Sequence, residues 1–161
     1  MDLIVTGDIH SGKTTWCSKY LAGRTAIKAG GVLCPVAYSY GLKTGYNAMD
    51  ISSGEKVPFA RFSHDETFSG ETVGEYKVSF AGISFVERTI LKAVNSGCEL
   101  ILMDEIGHLE LQGRGIIKAV LQAYLAGIDT IAVVRSALVP RFISYLDDRS
   151  IYKRFAFVLP E

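Results

Sequence analysis

The sequence predicts an α/β fold: a mainly parallel sheet flanked by helices, with a small antiparallel β-hairpin insert. Three observations carry this. Short, continuously apolar runs at 2–6, 100–103 and 130–134 have the pattern of parallel strands covered on both faces. Helix-period segments alternate with these runs at both ends of the chain. Between residues 32 and 80 the pattern changes to β-rich stretches joined by polar and glycine-bearing turns.

Asp2-Leu3-Ile4-Val5-Thr6 is the first strand, and Gly7 follows at once. Lys13 to Ala22 has helical periodicity, with Gly23 as its stop. Val32 to Ser39, Tyr46 to Ile51 and Lys56 to Phe62 read as strands, and Ser52-Ser53-Gly54-Glu55 joins the last two as a hairpin turn. Pro58 lacks a backbone donor, which places the third of these at a sheet edge. The polar segment 63–74 is expected to be a mobile loop, and Tyr76 to Phe80 one more strand. Ser84 and Glu87 form a capping-box pattern for a helix with Val86, Ile90, Ala93 and Val94 along one face, ended by Gly97. Leu100 to Met103 is a buried strand terminated by Asp104-Glu105. Gly113 to Ala126 is helical, Thr130 to Val134 a strand, and Pro140 suits the first turn of a further helix. Phe155 to Leu159 supplies the last strand. With no internal repeat or linker, residues 1–161 are expected to form one domain, the β-rich insert spanning about 38–76.

Composition narrows the class. Hydrophobic residues make up 48% and charged residues 21%, which excludes a disordered chain. Seventeen Lys and Arg balance seventeen Asp and Glu, so no phosphate-backbone footprint covers the whole surface and stable nucleic-acid binding is not indicated. No apolar run approaches the roughly 20 residues of a membrane helix. The N-terminal segment has Asp2 and no basic region, unlike a secretion signal. Cys17, Cys34 and Cys98 are odd in number and lack metal-ligand spacing, as reduced thiols of a cytoplasmic protein would be.

The most specific local signal is Gly7-Asp8-Ile9-His10-Ser11-Gly12-Lys13-Thr14, which fits G-x-x-x-x-G-K-[ST] and lies between a strand and a helix. A phosphate tail is wrapped by backbone N–H groups, and the two glycines let the chain curve closely around it. The helix beginning near Lys13 adds its positive dipole end. Lys13 neutralises β/γ-phosphate charge, the Thr14 hydroxyl is a Mg²⁺ ligand, and Thr15 adds a hydrogen bond.

Asp104-Glu105 closes a buried strand run, at the carboxyl end where ligands of parallel sheets gather. Asp104 is placed to hold the Mg²⁺ shell, and Glu105 to orient or deprotonate an attacking water. Arg135, with Ser136, ends the Thr130–Val134 run and should reach the same rim, as a γ-phosphate sensor or charge-stabilising group. Arg141, Arg149 and Arg154 are further arginine-finger candidates. His10, His64 and His108 show no metal-ligand spacing, and Trp16 and Tyr20 read as core residues of the first helix.

The chain resembles the P-loop nucleoside-triphosphatase family first described from archaea and thermophilic bacteria, which has a human cancer-related relative. The matching residues occur in one order: the phosphate loop, Gly30-Gly31-Val32, Gly41-Leu42-Lys43-Thr44-Gly45-Tyr46, Gly54-Glu55, Phe59-Ala60-Arg61, Gly74-Glu75-Tyr76, and Asp104-Glu105-Ile106-Gly107-His108-Leu109-Glu110. The last is the most diagnostic. The resemblance implies a RecA-like P-loop NTPase fold and slow Mg²⁺-dependent hydrolysis of ATP, GTP and other nucleoside triphosphates. Gly7 to Thr15 would bind the triphosphate and Glu105 would activate water. Three departures stand out: Asp8-Ile9-His10 replaces a loop usually richer in Pro and Gly, Lys43 replaces an Arg, and the usual Asn-Arg near the C-terminus has no counterpart. Lys43 lacks the rigid fork with which Arg grips phosphate oxygens in two places.

The leading expectation is therefore a cytoplasmic nucleoside triphosphatase using Mg²⁺, with its nucleotide substrate as partner, no membrane association and a monomeric state. Two alternatives use the same loop: a nucleotide or small-molecule kinase with residues 38–76 as acceptor pocket, and a non-enzymatic nucleotide-dependent adaptor or switch.

Overall fold

The computed structural model describes residues 1–160. Ten strands run β1 (Asp2–Gly7), β2 (Ala29–Leu33), β3 (Val36–Ser39), β4 (Leu42–Asp50), β5 (Lys56–Phe62), β6 (Glu71–Val73), β7 (Tyr76–Val78), β8 (Leu100–Ile106), β9 (Asp129–Arg135) and β10 (Phe155–Val158). Five helices accompany them: α1 (Lys13–Ala22), α2 (Phe80–Asn95), α3 (His108–Leu111), α4 (Ile117–Leu125) and α5 (Val139–Asp147). All ten strands join one sheet in the order β10-β1-β9-β8-β2-β4-β5-β7-β6, with β3 pairing β4 off that path.

The half from β10 to β2 is parallel, as the continuously apolar runs predict, and the half from β4 to β6 is the antiparallel insert. Alternation along each parallel strand feeds two cores. Ile4, Val32, Ile101, Met103, Ala132 and Val134 pack under the helices α2, α4 and α5. Leu3, Val5, Leu33, Leu102, Ile131 and Val133 pack with Cys17 of α1 on the opposite face. Fully burying each Leu, Ile, Val or Met among these contributes about 1.5–3 kcal/mol. Trp16 and Tyr20 stack at 4.9 Å and lie half-buried against this second core, as expected of them.

Several boundaries differ from the sequence expectations. The stretch 32–39 is two strands, because Pro35 has no N–H and the amide of Cys34 is engaged elsewhere. β4 begins at Leu42, since the turn at Tyr40-Gly41 is a tight hairpin that returns at once into pairing with β3. β5 is internal rather than an edge, flanked by β4 and β7; Pro58 is tolerated beside an irregularity of register and outside the span 60–62 that pairs β7. The segment 63–74 is not all loop, for Glu71–Val73 pairs β7. Ser79, not Ser84, caps α2: its hydroxyl accepts from Gly82 N at 3.0 Å, and β7 ends at Val78. β8 continues through Asp104-Glu105 to Ile106. Residues 113–126 contribute only α4, and α3 precedes them. No helix among the described residues is long and apolar enough to cross a membrane.

Candidate active site

Parallel pairing brings the carboxyl ends of β1, β9, β8 and β2 to one rim. Gly7 stands in register with Arg135, while Val32 stands opposite Met103, one residue before Asp104. The phosphate loop leaves β1 and turns back into α1. Ser11 N donates to Asp8 O at 3.2 Å, and Trp16 N donates to Gly12 O at 2.9 Å as the helical ladder begins. Gly12 holds φ 81°, a left-handed conformation that glycine adopts without steric penalty.

Lys13 is buried within this turn. Its ammonium donates to Asp8 O at 2.7 Å, Ser11 Oγ at 3.2 Å and Gly7 O at 3.3 Å, so the loop's own oxygens hold it in place. Burial lowers its pKa below the ordinary lysine value, Arg135 adding to this and Glu105 and Asp104 opposing it.

Thr14 follows on the first turn of α1, and its hydroxyl donates to Asp104 Oδ2 at 2.8 Å. The same carboxylate oxygen accepts from Cys34 N at 2.9 Å, and Cys34 Sγ donates to Asp104 O at 3.0 Å. Asp104 is only 4% exposed, and burial pushes its carboxyl up to about 7 despite these donors. Burial likewise raises the Cys34 thiol well above its ordinary value. Among the described residues no three His, Cys, Asp or Glu converge into a metal cage. A buried carboxylate beside a hydroxyl is instead the sparse, all-oxygen donor set that suits a hard cation retaining water and phosphate ligands.

Glu105 is far less covered than Asp104. It is 36% exposed at the rim, and Arg135 Nη2 donates to its Oε1 at 3.3 Å. The two adjacent acids thus sit in opposite surroundings, one sealed beneath Thr14 and one open beside a guanidinium.

The structure brings Gly7, Lys13, Thr14, Asp104, Glu105 and Arg135 together at this rim. Asp8, Ile9 and His10 form the exposed outer bend of the loop, with His10 at φ 64°. Thr15 is exposed on α1. Arg149 is taken up elsewhere, lying 3.5 Å over the Tyr145 ring and donating to Tyr145 O at 3.0 Å.

Two participants were not singled out for a role by the sequence reading. Cys34 anchors Asp104, and the Pro that follows it was the available signal. Glu110 is buried and accepts from Gly107 N at 2.8 Å and Ile116 N at 3.0 Å, holding the loop that leaves β8. Burial raises its carboxyl pKa against these two amides. A lone Glu inside a four-residue helix carries no such information by itself.

The chain is similar to known proteins along most of its length. A family model described as NTPase matches residues 2–158. The nucleoside-triphosphatase THEP1 of Methanopyrus kandleri is 30% identical over 135 residues, covering 83% of this chain and 72% of that protein. The nucleoside-triphosphatase THEP1 of Archaeoglobus fulgidus is 29% identical over 121 residues, covering 74% and 68%. Among solved structures, THEP1 from Aquifex aeolicus superposes with a TM-score of 0.72 at 21% identity, over 99% of this chain and 90% of that one. A human cancer-related nucleoside triphosphatase does so with a TM-score of 0.72 at 19% identity, over 98% and 87%. At these identities the structural matches attest the RecA-like P-loop fold.

Proposed function

The chain belongs to this NTPase family and is a nucleoside triphosphatase; from that premise we propose that it hydrolyses ATP, GTP and related triphosphates to the diphosphate and phosphate with Mg²⁺ and Glu105. The observation that carries this reading is the divergent setting of the two neighbouring acids, Asp104 bonded to Thr14 and Glu105 paired with Arg135.

In this reading the amides of the loop from Gly7 to Thr15 wrap the phosphate tail, and Lys13 shifts from loop oxygens to β/γ-phosphate oxygens. Thr14 and Asp104 would hold the metal. When bound, Mg²⁺ supplies charge that neutralises the β- and γ-phosphates. Glu105 accepts a hydrogen bond from water on the open side of the rim and receives its proton as the water oxygen bonds to the γ-phosphorus. The bond from that phosphorus to the bridging oxygen breaks in line, releasing the diphosphate. Arg135 holds the Glu105 carboxylate in place and lies where charge develops on the γ-phosphoryl group. Cys17, Cys34 and Cys98 are buried free thiols, which supports the reducing setting of the cytoplasm.

The test is a phosphate-release panel over ATP, GTP, CTP and UTP, with and without Mg²⁺, beside Lys13→Ala. Metal-dependent release that Lys13→Ala abolishes supports the reading; release that ignores both would refute it.

A further inference from the structure

The insert contains a cleft that the proposed hydrolysis does not use. β4 and β5 pair from Met49↔Lys56 to Gly45↔Arg61 and then part. Beyond that point β4 continues against β3, with Lys43 opposite Tyr38, while Phe62 of β5 pairs Tyr76 of β7. The gap between the diverging strands is a cleft of about 560 Å³, walled by Lys43 and Thr44 on one side and by Phe62, His64 and Glu66 on the other. Its size lies within the range of about 300–1,000 Å³ typical of small-molecule sites. None of its lining residues belongs to the phosphate loop or to the pairs Thr14–Asp104 and Glu105–Arg135.

Its chemistry is built from three parts. The first is a column of rings: Phe62 stacks on Tyr76 at 5.1 Å and 19°, and on His64 at 5.6 Å and 10°. Such a column presents a planar face to a further aromatic ring. The second is a fixed cation. The Lys43 ammonium donates to Tyr46 Oη at 2.9 Å and sits 4.5 Å over the Tyr46 ring and 5.7 Å over that of Tyr76, keeping further N–H donors for an anion. The third is an acceptor wall. Asp65 and Glu66 line the loop side, and Asp65 Oδ1 is already held by Thr67 N at 3.0 Å and by its hydroxyl, which fixes that carboxylate. Ionised carboxylates accept hydrogen bonds only, so this wall favours N–H donors.

An anion at one end, a planar ring between and N–H groups at the other describe a nucleotide with a single phosphate. We propose that this cleft is a second binding site, for a nucleoside monophosphate whose base carries an exocyclic amino group. The phosphate lies on Lys43, the base stacks on the exposed face of His64, and the amino group donates to Glu66. A longer phosphate tail gains nothing here, because Lys43 is the one lysine or arginine lining the cleft and the facing carboxylates repel further negative charge.

The test is calorimetric titration of the full chain with AMP and with UMP, first with the phosphate loop filled by a non-hydrolysable ATP analogue and then in Lys13→Ala. AMP is expected to bind one to one in both settings, and UMP, which has no amino group, at least tenfold more weakly. His64→Ala and Glu66→Gln are expected to weaken AMP at least tenfold while phosphate release from ATP stays at the parent rate. Loss of AMP binding when the loop is filled, or equal affinity for AMP and UMP, would overturn the proposal. So would a His64→Ala protein that binds AMP as the parent does. The AMP titration is read independently of turnover, so its failure is distinguishable from failure of the hydrolytic reading.

Discussion

Thr14 and Asp104 stand 90 residues apart in sequence, and the hydroxyl of one donates to the carboxylate of the other at 2.8 Å. The bond ties the first turn of α1 to the end of β8, so the phosphate loop and the acidic strand act as one unit. Thr14→Ala removes this donor and the hydroxyl assigned to the metal. Phosphate release is expected to fall by about 100-fold, with half-maximal rate moved to higher Mg²⁺. A Mg²⁺ titration of the rate checks this; an unchanged midpoint would remove Thr14 from the metal site.

Glu105→Gln keeps size and hydrogen-bonding reach but cannot take a proton. Nucleotide affinity is expected to hold while turnover drops by about 10²–10⁴-fold. Equilibrium binding alongside single-turnover hydrolysis separates the two, and turnover at the parent rate would rule out Glu105 as the base.

Arg135 reaches Glu105 from the end of β9, beside the loop. Arg135→Ala is therefore expected to lower kcat by about tenfold or more with a smaller change in KM. Arg135→Lys keeps the charge and is expected to recover part of the loss. Equal losses in binding and turnover would return Arg135 to a structural role.

Asp50 is 2% exposed, and its carboxylate accepts from Lys92 Nζ at 2.5 Å and from Ser52 N and Oγ at 2.9 Å each. Burial alone would raise its pKa, but Lys92 and Ser52 outweigh it and hold the carboxyl below its ordinary 3.8. Because the folded pKa is the lower one, the stabilisation is present above pH 3.8 and is lost as pH falls through the folded value. Asp50→Asn is expected to cost about 1–3 kcal/mol near neutral pH. The gap between the melting curves of the two proteins is expected to narrow as pH falls from 7 to below 3.8; a constant gap would contradict this assignment.

Gly115 holds φ +60°, and a Cβ there would overlap Glu110 Oε2, the atom that accepts from Ile116 N. Gly115→Ala is expected to destabilise the fold by about 2–3 kcal/mol through backbone strain and displacement of a buried carboxylate. Adding Glu110→Ala removes the overlap, so the double variant should lose less than the sum of the two singles. Denaturant midpoints measure both; strict additivity would mean that the two residues do not meet.

What was legible in the sequence was what chemistry imposes locally. Gly7 to Thr14 must lie between a strand and a helix to wrap a phosphate, and it does. The continuous apolar runs read as strands covered on both faces, and Ile4, Ile101 and Ile131 are fully buried. The remainder depended on partners far away in the chain. The break at Cys34 exists because Asp104 takes its amide, and neither residue announces the other. The local pattern puts the cap of α2 at Ser84, and the end of β7 at Val78 gives that place to Ser79 instead. Arg135 was separable from Arg141, Arg149 and Arg154 only by its place at the end of an apolar strand, and its contact with Glu105 follows from that position.

The junction between β2 and β3 has a consequence for how such a protein can diversify. Cys34 spends its amide on Asp104, and Pro35 has none to offer, while β4 runs past both and Asn47 N donates to Pro35 O at 3.0 Å. Asp104 is thereby seated by the residue before the proline, and the outer arm starts afresh after it. Loops grafted or trimmed beyond this joint leave the Asp104 carboxylate in its seat, so the arm is free to vary in length and sequence while the strand end beside Thr14 stays fixed.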